Sequence, residues 1–104
     1  MYDLIIRNGK VIDGSGNPWL AADVGIVDGK IANIGPLGNA EARQTIDARG
    51  RFVCPGFVDG HSHSDLFILT EPEARQKVMQ GITTENGGLD GMSVAPIREQ
   101  DVAG

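Results

Sequence analysis

Residues 55–63, PGFVDGHSH, place two histidines on either side of one serine, directly after a short apolar run. In an extended strand, residues i and i+2 project from the same face about 6.6 Å apart, so the rings of His61 and His63 could turn toward one cation. Imidazole nitrogens bind zinc at about 2.0–2.1 Å. The pair therefore predicts a two-histidine metal site, and the alternative is that both are exposed loop histidines hydrogen-bonded to water.

The chain before this stretch consists of short β-type runs separated by glycine turns. DLIIR and KVID flank Asn8-Gly9, and DVGIV and KIANIG flank Asp28-Gly29. Both dipeptides tolerate the positive φ angles of two-residue primed turns, so each pair of runs predicts a β-hairpin. QTIDARGRFVCPG adds a strand, a turn at residues 49–50 and another strand. We expect residues 1–54 to form a small antiparallel sheet or part of a β-sandwich.

The chain after residue 54 has a different pattern, in which helical and strand-like segments alternate. FVDGHSH is a brief apolar strand, EPEARQKVMQ is rich in helix formers, and GITTE returns to β-branched residues. Glu71-Pro72 would open the helix and Gly81 would close it. This order predicts a βαβ unit with parallel strands, and ligands of such sheets gather at the carboxyl ends of the strands. No further element is evident in the last residues, MSVAPIREQDVAG.

Length and composition limit the classes of function. A chain of 104 residues suits one domain of modest size with a small core. The net charge of −5, without a basic cluster, argues against nucleic acid or an anionic membrane as a partner. Cys54, the single cysteine, cannot form an internal disulfide, and no signal peptide or long apolar run is present. The cytoplasm is therefore the expected location.

The runs VCPGFVDGHSH, YDLIIRNGKVIDGSG, VGIVDGKIANIG and IDARGRFV together resemble the metal-dependent amidohydrolase superfamily, and within it the D-aminoacylase (N-acyl-D-amino-acid deacylase) branch. The resemblance spans nearly the whole chain. It implies a mixed β and α/β fold, with a small composite β-sandwich domain at residues 1–54 followed by the first βαβ portion of a (β/α)8 TIM-type barrel, truncated, at residues 55–104. It also implies that His61 and His63 are ligands of zinc or another divalent metal at the end of the first barrel strand.

The resemblance further implies an enzyme that hydrolyses a linear amide, an N-acyl-D-amino acid, with metal-activated water. Further histidine ligands and the catalytic aspartate lie on later barrel strands in these enzymes, so we expect the catalytic residues downstream of Gly104. The isolated chain should then be inactive. Its open strand edges could be covered by other copies of the chain, which would make it a homo-oligomer.

One position departs from the pattern of the branch. D-aminoacylase-like enzymes commonly carry Asn-Cys-Gly a few residues after GITT, and the cysteine is a metal ligand. This chain reads GITTENGGLDGMS, with Asp90 at the cysteine position. Because a carboxylate can bind zinc at about 2.0–2.2 Å, the resemblance implies that Asp90 is a third ligand. The alternative is an ordinary turn aspartate.

Other polar residues near the histidines are candidates for supporting roles. Asp59 and Asp65 could each accept a hydrogen bond from a metal-binding imidazole, and Asp65 could instead approach the substrate. A local turn contact or structural hydrogen bond is the alternative for both. Cys54 is expected to be a small buried hydrophobic residue. Thr83 and Thr84 are expected to be strand residues.

Two other functions compete with the deacylase. A cyclic amidase, of the dihydroorotase or hydantoinase type, would share the sandwich and the His-x-His pair, although GITTENGGLDGMS favours the aminoacylase branch. A small metal-binding module without catalytic activity, complete at this length, is the other alternative. Turnover of N-acyl-D-amino acids against dihydroorotate would separate the two enzymes, and a cooperative melt with stoichiometric metal would support the module.

Overall fold

The structure is a computed structural model that describes residues 1–93 and Gln100. It divides into two compact units, Met1–Pro55 and Gly56–Gly104. The end of the chain, for which the sequence predicts no element, lies outside the described residues at positions 94–99 and 101–104. None of the helices in the described part has the length and hydropathy of a membrane span.

The first unit is a single mixed sheet. Its strands are β1 (Tyr2–Val11), β2 (Leu20–Val27), β3 (Lys30–Gly35), β4 (Ala42–Asp47) and β5 (Phe52–Val53). The order across the sheet is β3-β2-β1-β4, and β5 also pairs with β1. β1 with β2 and β2 with β3 are antiparallel, whereas β4 and β5 run parallel to β1. The prediction of an antiparallel sheet was therefore wrong for one edge of β1.

The predicted hairpin at Asn8-Gly9 was also wrong, because β1 continues through both residues. The register against β2 shifts between Ile6 and Gly9, and Asn8 has φ 57°, which is the geometry of a β-bulge. On the other edge of β1, the Gly50 N–H donates to the Asn8 carbonyl at 2.8 Å. The bulge in β1 thus bonds to the turn between β4 and β5. The Asn-Gly pair forms a bulge within a continuous strand instead of a hairpin turn.

The second predicted hairpin is confirmed. Val27 pairs with Lys30, and Asp28 and Gly29 between them have φ angles of 50° and 70°. The turn at residues 49–50 is confirmed as well, with φ angles of 51° and 74°. However, β4 and β5 both pair with β1, one after the other along the same edge.

The core of the first unit is small, as its length predicts. Ile5 is fully buried, and a cluster of Val11, Ala22 and Val24 packs against the partly buried Ile6, Ile26 and Val53. Other apolar side chains of the sheet remain exposed, among them Ile31 at 65%.

The Asp23 carboxylate holds the bulge of β1 with hydrogen bonds. The Asp23 carboxylate accepts hydrogen bonds from the Arg7 guanidinium at 3.1 Å, the Asn8 N–H at 3.0 Å and the Leu37 N–H at 3.3 Å. These bonds, first of all that from the Asn8 N–H, lower the pKa of Asp23.

The second unit is a βαβ unit, as predicted. Strands β6 (Phe57–Asp59) and β7 (Ile82–Glu85) are parallel, and helix α1 (Arg75–Val78) lies between them in the chain. Two 3₁₀ turns, Ser64–Leu66 and Leu89–Gly91, follow the ends of β6 and β7.

The helix and the first strand of this unit are shorter than predicted. The helix does not open at Glu71-Pro72, because Ala74 has φ 41° in the left-handed region, which interrupts the helical backbone before Arg75. Gly81 has φ 81° and precedes β7, in agreement with its predicted role as the end of the helix. β6 ends at Asp59, so the two histidines lie in the loop after the strand rather than in it.

Candidate metal centre

The loops that follow β6 and β7 start side by side. Asp59 pairs with Glu85 at the carboxyl ends of the two strands. The Asn86 N–H donates to the Asp59 carbonyl at 2.9 Å, and the Ser62 N–H donates to the Asn86 carbonyl at 3.2 Å. Backbone hydrogen bonds therefore join the loop that carries the histidines to the loop that leads to Asp90.

His61, His63 and Asp90 meet in this place, and we call them the His-His-Asp cluster. The distance to the Asp90 Oδ2 atom is 3.0 Å from His61 Nε2 and 3.4 Å from His63 Nε2. One donor atom of each residue lies within 4.8 Å of the others. The sequence predicted the approach of the two histidines from strand spacing and that of Asp90 from the family pattern, whereas all three residues lie beyond the ends of β6 and β7.

The cluster fits a divalent metal. Two ligand atoms that each lie about 2.1 Å from a tetrahedral ion are about 3.4 Å apart. Both Nε2–Oδ2 distances are close to that value. Two imidazoles and one carboxylate are donor groups that zinc accepts. The side chains are accessible, with exposures of 62% for His61, 36% for His63 and 64% for Asp90.

Asp90 reaches the cluster from an uncommon backbone conformation. It has φ 55° and ψ 26°, inside the 3₁₀ turn Leu89–Gly91. Aspartate tolerates the left-handed region better than most residues, and the flanking Gly88 and Gly91 also have positive φ angles. The sequence NGGLDG thus allows the tight path that points this carboxylate at the two rings.

Asp59 contacts the histidine loop through the backbone. Its Oδ1 atom accepts the His61 N–H at 3.2 Å, and its Oδ2 atom accepts a hydrogen bond from Lys77 Nζ at 2.6 Å. The bond from Lys77, followed by that from His61, lowers the pKa of Asp59. The sequence left two roles open for Asp59, the acceptor of an imidazole N–H or a local turn contact, and its bond from the His61 N–H is the local contact.

Asp65 contacts the loop that carries Asp90. Its Oδ2 atom accepts the Gly88 N–H at 3.1 Å, two residues before Asp90. Its Oδ1 atom and the Nδ1 atom of His63 are buried without a hydrogen-bond partner in the described part of the chain. Metal-bound histidines usually donate their second ring N–H to an acceptor, and no described residue supplies one to His63 Nδ1.

Lys77 is a residue near the site that the sequence analysis missed. Its ammonium lies 2.6 Å from Asp59 Oδ2, 2.9 Å from Glu85 Oε1 and 3.3 Å from the Ser62 hydroxyl. The hydrogen bonds to Asp59 and Glu85 raise the pKa of Lys77. The available signal was that both parallel strands end in a carboxylate, and adjacent carboxylates need a cation between them.

Two minor predictions have opposite outcomes. Thr83 and Thr84 are strand residues of β7, as expected. Cys54 is exposed rather than buried, because it follows the short edge strand β5 and precedes Pro55.

Comparisons with known proteins agree on one family. The model of the amidohydrolase family matches residues 44–94, a stretch that includes the whole His-His-Asp cluster. The N-acyl-D-glutamate deacylase of Alcaligenes xylosoxydans xylosoxydans is 49% identical over 94 residues, which are 90% of this chain and 19% of that protein. The D-aminoacylase of the same organism is 41% identical over 96 residues, or 92% of this chain and 20% of that protein.

A solved structure gives the same result. The crystal structure of the N-acyl-D-glutamate deacylase of Bordetella bronchiseptica, in complex with zinc and a phosphonate inhibitor, superimposes with a TM-score of 0.86 at 48% identity. The match covers 91% of this chain and 20% of that one. The chain thus spans about a fifth of the length of the relatives it matches. With this agreement in sequence and structure, the chain belongs to the metal-dependent amidohydrolases, in the branch of D-aminoacylase and the N-acyl-D-amino-acid deacylases.

Proposed function

We propose that this chain is part of an enzyme that hydrolyses the linear amide of an N-acyl-D-amino acid, with a divalent metal, zinc, held by the His-His-Asp cluster. The observation that carries the proposal is the approach of three metal-ligating atoms within 4.8 Å at the ends of two parallel strands. The similarity to proteins named D-aminoacylase and N-acyl-D-glutamate deacylase supports the substrate class.

The two units would have different tasks. Residues 1–54 would form the small composite β-sandwich domain, and residues 55–104 would begin a (β/α)8 barrel. The parallel pairing of β6 and β7 supports the second assignment, because barrel enzymes carry their sites at the carboxyl ends of parallel strands. A small-molecule N-acyl amino acid as the substrate, a cytoplasmic location and a homo-oligomeric state are parts of the same proposal.

In this reaction, water adds to the amide carbonyl carbon, the C–N bond breaks, and the nitrogen leaves with a proton as the free amino acid. When bound, a divalent metal would lower the pKa of the attacking water and polarise the amide carbonyl. His61, His63 and Asp90 hold that ion, and Asp59 and Asp65 hold the two loops on which these ligands lie. The carboxylate that moves the proton to the leaving nitrogen is expected downstream of Gly104.

The test is the full-length product of the gene, purified with zinc. It should release free amino acid from N-acetyl-D-glutamate and other N-acetyl-D-amino acids faster than from their L-enantiomers or from dihydroorotate. His61→Ala and His63→Ala should lower both the metal content and turnover at least tenfold. Gln76→Ala, which changes an exposed side chain of α1, is the control and should leave both unchanged. Full metal content and turnover in both histidine variants would refute the proposal, and preference for dihydroorotate would replace it with the cyclic amidase.

A further inference from the structure

We propose that Lys77 is a positioning residue for the His-His-Asp cluster, acting on the histidine loop through Asp59 and Ser62. The inference rests on the proposed function, since it takes the cluster to be a metal site. Lys77 lies on the short helix α1, fourteen residues after His63 in the chain. Its side chain is only 21% exposed, and the ammonium reaches the ends of β6 and β7.

Each hydrogen of the Lys77 ammonium has a hydrogen-bond acceptor. A lysine ammonium carries three hydrogens, and Lys77 Nζ has three acceptors: Asp59 Oδ2, Glu85 Oε1 and Ser62 Oγ. These acceptors belong to three different segments, the end of β6, the end of β7 and the loop between the two histidines. One side chain therefore joins the end of β6, the end of β7 and the histidine loop.

The acceptors of Lys77 make further hydrogen bonds to the histidine loop. Asp59, held by Lys77 on one oxygen, accepts the His61 N–H on the other. Ser62 is 5% exposed and lies between the two ligands, where its hydroxyl accepts the Ser64 N–H at 3.1 Å and donates to the Ser64 hydroxyl at 2.9 Å. The Ser64 hydroxyl in turn donates to Glu85 at 3.2 Å. The network closes into a ring that fixes the path of residues 59–64.

A positioning role and a purely electrostatic role predict opposite signs. A cation near a metal site repels the metal, so removal of the Lys77 charge should strengthen metal binding if Coulomb repulsion were its main influence. Loss of positioning should instead weaken binding, because two ligands on a loosened loop no longer hold the geometry that the ion requires. Partners behind metal ligands typically contribute about 10-fold to 100-fold in metal affinity.

The experiment measures Co²⁺ dissociation constants for the full-length protein by competition with a chromophoric chelator, together with the visible absorption spectrum of bound Co²⁺. Lys77→Met should weaken binding about 10-fold or more and alter the Co²⁺ spectrum. Arg75→Met removes a positive charge from the same helix, at an exposed position, and should stay within twofold of the wild type. Ser62→Ala removes the hydroxyl that accepts from Lys77 and bonds to Ser64, and leaves the bonds of Lys77 to Asp59 and Glu85 in place. It should weaken binding by a smaller factor and serves if Lys77→Met does not fold.

The outcomes separate this inference from the function on which it rests. If His61→Ala weakens Co²⁺ binding while Lys77→Met and Ser62→Ala bind like the wild type with an unchanged spectrum, the positioning role is overturned and the metal site stands. Tighter binding in Lys77→Met would likewise overturn it in favour of the electrostatic role. If His61→Ala itself leaves Co²⁺ binding unchanged, both the metal site and the role of Lys77 are overturned.

Discussion

Replacement of Asp90 by alanine should weaken zinc binding by about one to two orders of magnitude. Structural zinc sites with four ligands bind with roughly 10–16 kcal/mol, which is about 3 kcal/mol for each ligand. Asp90 is 64% exposed, so water can take the vacated position and recover part of that free energy. A net loss of about 1.4–2.8 kcal/mol corresponds to a 10-fold to 100-fold higher dissociation constant.

The measurement is a zinc titration of the full-length protein against a chromophoric chelator. Asp90→Cys should bind more tightly than Asp90→Ala, because a thiolate is itself a zinc ligand. The matched control is Asp28→Ala, since Asp28 has φ 50° and Asp90 has φ 55°. Alanine has the same unfavourable left-handed backbone conformation at both positions, and only the Asp90 substitution removes a carboxylate from the cluster.

Near-wild-type zinc affinity and turnover in Asp90→Ala would refute the reasoning. Asp90 would then be a turn residue, and its 3.0 Å approach to His61 Nε2 would be a local hydrogen bond. Equal losses in Asp90→Ala and Asp28→Ala would have the same meaning, because backbone strain alone would explain them.

Two further predictions concern the first unit and the chain as a whole. Asp23→Ala should lower the free energy of unfolding by roughly 2 kcal/mol, since it leaves the Asn8 and Leu37 N–H groups without their acceptor. Folding lowers the pKa of Asp23, so its carboxylate stabilises the protein above the pKa of the unfolded state, and this stabilisation is lost as the pH falls through the pKa of the folded state. The stability of Asp23→Ala should therefore depend less steeply on pH in that range. An unchanged acid denaturation curve would contradict this. The isolated 104-residue chain should self-associate and show no amidase turnover above a metal-only control; a monomer that melts cooperatively and loses a real activity in His61→Ala would contradict this.

The sequence predicted those features of the fold that depend on local conformation. Asp28-Gly29 makes the expected turn because the runs on either side of it pair with each other. Asn8-Gly9 has the same local preference, yet it becomes a bulge because β1 pairs on both sides with residues far away in the chain. Parallel pairing of β1 with β4 could not be predicted for a similar reason, since no local pattern encodes a partner about forty residues away.

The candidate site shows the same division. The residue types of the cluster could be predicted, the histidines from GHSH and the aspartate from LDG with the family pattern. The approach of the three side chains depends on loop backbone angles, which the residue spacing does not specify. Lys77 was missed because a lysine on a short helix is usually solvated. Its role depends on Asp59 and Glu85 lying opposite each other, which only the pairing of β6 with β7 establishes.

The position of β1 in its sheet has a consequence for the order in which the first unit can form. β1 is synthesised before all of its partners, the parallel ones extend to Val53, and Tyr2 pairs with Ala42. Closing a loop of that length costs chain entropy before any contact rewards it. On the ribosome, β1 can pair early with β2, while its other edge waits unpaired until β4 and β5 leave the exit tunnel. During that interval the nascent chain displays an open strand edge, at which another chain could pair.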